Sequence, residues 1–239
     1  MDVDPSWSFD NYQAYERTRL NESLAEQARA HADGLEVDPK SEPHGGYRIA
    51  CLWPDQVTSA ASALSARLAD LLPGTPAYPY KAIHSSIGNI SAPNGKLVDP
   101  DRHREDRDLL DRLVDAVDTA LATDPGQSAD GRRVTFGPAL LSPRMALVFG
   151  RPQSGYWALH RAVHAATQPL GIDLVTSWGP HLTLTRFAQP AGAEQLDAVL
   201  EALAAWTPVT VAPTAFLVGF YTVAPGEFRV DPYRTFELA

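Results

Sequence analysis

Two short strings carry most of the chemistry in this chain: His84-Ser85-Ser86-Ile87 and His181-Leu182-Thr183-Leu184. Each is a histidine, any residue, a hydroxyl residue and an aliphatic. On a β-strand, residues i and i+2 point to the same face, so His84 would stand beside Ser86 and His181 beside Thr183. Two imidazoles and two hydroxyls facing one cleft could split a phosphodiester. In-line attack needs a base at the nucleophile and an acid at the leaving oxygen, and histidine serves either role near neutral pH. Charge building on the non-bridging oxygens needs preorganised donors, which Ser86 and Thr183 can supply. A 2′,3′-cyclic phosphate is already strained, so such a site needs no metal. Seven histidines and 29 serines plus threonines make such strings cheap by chance. The context must therefore carry the reading.

That context is a repeat. Residues 47–53 read as a strand, Val57 to Leu72 as a helix, and Tyr80 to Ile90 as the strand carrying His84. Asp101 to Leu121 follows as an amphipathic helix and Arg133 to Leu141 as a strand. The order then recurs: strand 145–149, helix Tyr156 to Leu170, a His181 strand within Val175 to Phe187, and helix Ala193 to Trp206. Strands Val209 to Val223 and Phe228 to Phe236 close the chain. Ile49 precedes His84 by the same 35 residues that separate Ala146 from His181. The pattern predicts an α+β fold of two duplicated lobes, about 47–143 and 144–239. Residues 1–46 read as an acidic, partly helical extension, helical over Asp10 to Ala32, packed outside the core or lying over the cleft.

Composition narrows the ligand. Net charge is −9, with ten Asp/Glu against four Lys/Arg in residues 1–46 alone. Long duplex nucleic acid is not the expected partner, because phosphate contacts supply most non-specific affinity. A nucleotide or a short RNA end fits better, and a local basic cleft can sit within an acidic total. One cysteine, Cys51, suits a reducing cytoplasm. Neither a signal peptide nor a membrane span is expected.

Other candidates are weaker. His160 and His164 share a helix face, but Arg161 stands where a zincin has Glu, so packing outweighs metal binding and no metal or cofactor is expected. Tyr80, Trp178, Phe220 and Tyr221 are candidates to stack on a base. Arg186 could contact phosphate, although five residues beyond His181 it would point away on a regular strand.

Residues 179–187, Gly-Pro-His-Leu-Thr-Leu-Thr-Arg-Phe, resemble the second signature of the 2H phosphoesterases, and residues 83–87 are similar to the first. That superfamily includes bacterial 2′-5′ RNA ligase-like proteins and cyclic phosphodiesterases. The resemblance, over roughly residues 47–239, implies a bilobal α+β fold of two antiparallel-rich sheets around a central groove with helices outside, a metal-free mechanism, and His84, Ser86, His181 and Thr183 as the active set. It points to a hydrolase acting on a 2′,3′-cyclic phosphate or a 2′-5′ linkage. A nucleotide-binding module without turnover, and an enzyme acting on a small phosphorylated metabolite, are the alternatives. The chain departs from the pattern at Ser85, usually apolar, and at Gly88, which suggests that the first strand is bent or at an edge.

Overall fold

The computed structural model describes residues 3–41, 44–91, 106–123, 129–172, 174–224 and 227–238. The first helix, α1 (Phe9–Asp33), is capped where the Ser8 side chain accepts from the Asn11 N–H, and it stops at Gly34. Tyr12, Tyr15, Ser23 and Ala30 form its buried stripe at helical spacing. Tyr12 stacks on Trp157 with ring centroids 4.1 Å apart. The remaining helices are α2 (Asp55–Leu71), α3 (Arg107–Ala122), α4 (Ser154–Thr167) and α5 (Leu196–Ala204). Helix α3 begins at its Asp106 cap, whose carboxylate accepts from the Leu109 N–H. The start expected at Asp101 lies outside the described residues.

The strands are β1 (His44–Leu52), β2 (Ser85–Ser91), β3 (Val134–Leu141), β4 (Met145–Pro152), β5 (Val175–Thr176), β6 (His181–Arg186), β7 (Val209–Val211), β8 (Ala215–Ala224) and β9 (Glu227–Glu237). They make two antiparallel sheets, ordered β5-β2-β1-β8-β9 and β6-β4-β3-β7. This is the two-sheet α+β architecture expected.

The sheets do not follow the sequence halves. Strands β5, β8 and β9 come from the second half yet join β1 and β2, while β3 from the first half joins β4. Strand β1 is buried along nearly its whole length, so it needs a partner on each edge, and β8 supplies the second. One expected strand, Val209 to Val223, is also divided. Pro213, which has no N–H for a ladder, separates β7 from β8. The chain crosses between sheets at residues 177–180, so β5 and β6 are separate strands. There Gly179 has φ of 149°, and a Cβ on it would collide with Tyr12 Oη.

The duplication shows in the ladders. Ala50 pairs with Ser86 on β1–β2, and Leu147 pairs with Thr183 on β4–β6. Both pairs carry the 97-residue offset that separates the two histidines. Each His strand also holds a bulge at the same place, at Ile87 in β2 and at Leu184 in β6. A bulge shifts the side-chain phase by one, and this decides which residues face the groove. Strand β2 is thus bent, as its glycine suggested, but it lies inside its sheet. Gly88 is required there because a Cβ would collide with Leu174 Cγ.

The two helical histidines are packing residues. His160 and His164 are 1% and 4% exposed, their rings lie 4.7 Å apart, and His160 stacks on Trp157. Among the described residues no group of three or more His, Cys, Asp or Glu is placed to hold a metal ion. No helix among them is long and apolar enough to cross a membrane.

Candidate functional site

His84 sits one residue before β2, and His181 is the first residue of β6. Both line one cavity of about 900 Å³ between the sheets, together with Ser86 and Thr183. The two imidazoles are anchored alike. His84 Nδ1 bonds the Ala82 carbonyl at 2.6 Å, and His181 Nδ1 bonds the Gly179 carbonyl at 2.9 Å. A carbonyl oxygen only accepts, so each Nδ1 carries the proton. Each neutral ring therefore keeps its lone pair on Nε2, which in His84 accepts from the Arg48 guanidinium.

Ser85 ties the two strands together. Its hydroxyl donates to the His181 carbonyl at 2.9 Å and accepts from Trp53 Nε1 at 3.1 Å, fully buried. The departure from an apolar residue at this position thus bonds the residue after His84 directly to the His181 backbone. Ser85→Ala removes both of these buried bonds. It is expected to lower unfolding stability by about 1–3 kcal/mol, measured in urea.

Arg186 does reach the groove. The bulge at Leu184 brings it onto the face of His181 and Thr183, whereas a regular strand would turn it away. Its guanidinium donates to the Asp38 carboxylate, which is almost fully buried. The equivalent position after the β2 bulge is Asn89, also in the groove.

Of the expected aromatic contacts, Tyr221 and Trp178 line the cavity. Trp178 stacks flat on His181, with centroids 4.4 Å apart. Tyr221 lies under the Arg48 guanidinium at 4.1 Å. Tyr80 is elsewhere. It belongs to a short 3₁₀ turn before β2, outside the strand alternation, and its hydroxyl donates to Asp55 on the surface. Phe220 faces the core beside Tyr47.

Arg48 did not stand out in the sequence. It lies on β1, about 9% exposed, its Nε donating to Asn89 Oδ1 at 2.7 Å and its Nη1 to His84 Nε2. A single charged residue within the apolar run from Tyr47 to Trp53 was the available signal, because a charge buried on a central strand needs a purpose. Phe228 was missed as well and stacks on His84 at 5.7 Å.

The groove is cationic within an acidic protein. Arg19, Arg29, Lys40, Arg48, Arg144 and Arg186 line it, against Glu26, Glu36 and Asp38. Burial, then the Arg48 charge, holds the His84 imidazole well below its ordinary pKa. Burial pushes His181 down to about 4, with Arg186, Arg48 and Lys40 adding to the effect. Both rings are neutral at pH 7 in the ligand-free protein. The arrangement offers two neutral imidazoles, two hydroxyls and guanidinium groups around one space, as an anion undergoing proton transfer would require.

No family model and no curated protein sequence matches the chain. Several crystal structures resemble it. TT0787 of Thermus thermophilus is 17% identical, with 81% of this chain and 97% of that chain covered and a TM-score of 0.52. E. coli LigT complexed with ATP is 17% identical, covering 83% and 99%, with a TM-score of 0.48. A phosphoesterase is 18% identical, covering 83% and 99%, with a TM-score of 0.46. At such identity the likeness is one of fold alone: the chain shares the two-sheet α+β fold of TT0787.

Proposed function

We propose that the protein is a metal-independent phosphodiesterase acting on a 2′,3′-cyclic phosphate or a 2′-5′ linkage in a nucleotide or short RNA end. The observation that carries this reading is the matched anchoring of His84 and His181, which leaves two Nε2 atoms on one cationic cavity. Water attacks phosphorus as one imidazole takes its proton. The P–O bond to the ribose breaks as the other, protonated when the anion is bound, gives a proton to the departing oxygen. The product is a phosphomonoester. Ser86, Thr183, Arg48 and Arg186 hold the non-bridging oxygens where negative charge grows.

Charge neutralisation is assigned to guanidinium groups, so hydrolysis of a 2′,3′-cyclic nucleotide is expected to proceed equally with and without excess EDTA. Activity lost on chelation and restored by Zn²⁺ or Mn²⁺ contradicts the reading. Nucleotide binding without turnover of any cyclic or 2′-5′ linked substrate favours a binding module instead.

A further inference from the structure

We propose that the segment before β1 belongs to the site: Lys40 supplies a third cation to the phosphate faced by Arg48 and Arg186. This rests on the groove being a phosphate site, and it resolves whether the N-terminal extension merely packs on the core.

The segment is fixed in place by backbone bonds. Helix α1 stops at Gly34, whose φ of 91° and near contact with the Ala191 carbonyl oxygen admit no Cβ. Leu35 N then donates to Ala191 O at 2.8 Å, Glu36 N to Pro143 O at 2.7 Å and Asp38 N to Phe187 O at 2.8 Å. These bonds tie residues 35–38 to the loops that follow β3 and β6. Asp38 is 5% exposed and bonds in two directions. One carboxylate oxygen accepts from Arg186, and the other accepts from the Lys40 N–H at 2.9 Å. One buried carboxylate thus orients the motif arginine and the turn that carries Lys40. The Lys40 side chain lines the same cavity as both histidines. Its pKa is lowered by burial and by the Arg186 charge, so it shares that environment. Helix α1 also presses Tyr12 against Gly179, whose carbonyl holds His181.

Within electrostatic reach of Lys40 lie two further cations, Arg186 and Arg48, and one carboxylate, Asp38, so this corner of the cavity carries two net positive charges. A phosphodiester carries one negative charge, while its pentacoordinate transition state and the phosphomonoester product approach two. The third cation therefore favours the species with the greater charge, and its contribution belongs to the transition state more than to the substrate.

The test uses inorganic phosphate as the probe, followed by ³¹P NMR titration of the full-length protein. Lys40→Gln is expected to weaken phosphate binding by roughly 10-fold or more, as loss of a charge-assisted hydrogen bond does. Lys40→Arg is expected to restore most of it. Lys81→Gln, which removes an exposed charge outside the cavity, is expected to leave it unchanged. On a cyclic nucleotide, Lys40→Gln lowers kcat more than it raises KM. Phosphate affinity within twofold of native in Lys40→Gln overturns the proposal, as does a native protein that binds no phosphate. If phosphate binding depends on Lys40 but no diester is hydrolysed, the proposal stands and the hydrolase reading falls.

Discussion

His84→Ala and His181→Ala are each expected to lower hydrolysis of a 2′,3′-cyclic nucleotide by about 10²–10⁴-fold, the usual contribution of one proton-transfer partner. The double variant is expected to be barely slower than either single one, because acid and base act on the same phosphorus as a unit. Substrate affinity is expected to fall much less than the rate, since Arg48 and Arg186 remain in the groove. The measurement is kcat and KM on purified variants, with nucleotide affinity from calorimetry. Two losses that multiply in the double variant would mean that the histidines do not share one reaction. Loss of affinity alone would make them binding residues.

Arg48→Met is expected to cost about 10²–10³-fold in kcat, comparable with removing one oxyanion donor. Methionine keeps an apolar stem over the Tyr221 ring while deleting the guanidinium that bonds His84 Nε2 and Asn89. A second readout separates this from simple misfolding. With the charge gone, the His84 pKa rises, although burial keeps it below the ordinary value. Proton NMR titration of the His84 ring reads this directly. An unchanged His84 pKa would show that Arg48 does not act on that ring. Arg48→Lys keeps the charge but loses the fork that serves both partners, so partial recovery is expected.

The two histidines and their hydroxyls were legible because strand alternation places i and i+2 together, and both motifs lie ahead of their bulges. The elements of the core were legible for a similar reason. Leu110, Leu113 and Val117 mark one face of α3, and Ile49 and Cys51 mark one face of β1. Arg186 was misplaced because alternation was carried through Leu184, where a bulge resets the phase. No local composition announces that bulge; it became visible only as a match to the one at Ile87. The strand exchange between sheets was hidden because pairing depends on which edges need covering, and that is a property of the whole fold. Asp38 and Lys40 were hidden among the charges of an acidic segment, where burial alone distinguishes a structural carboxylate from a solvated one.

The central claim, that two histidines exchange protons with one bound phosphate, is tested most directly by the pH dependence of kcat/KM and of kcat on a 2′,3′-cyclic nucleotide. The base must be neutral and the acid protonated, so each profile is a bell. In the free protein, burial and the surrounding cations hold both imidazoles down, His181 to about 4. The bell for kcat/KM, which reports the free protein, is therefore centred on the acid side of the ordinary histidine pKa, near 6.5. A bound phosphate offsets the cations and raises both pKa values, so the optimum for kcat lies at higher pH than that for kcat/KM. Each histidine variant loses one limb of the bell. A profile that is flat from pH 4 to 8, or one that keeps both limbs when either histidine is removed, would contradict the account.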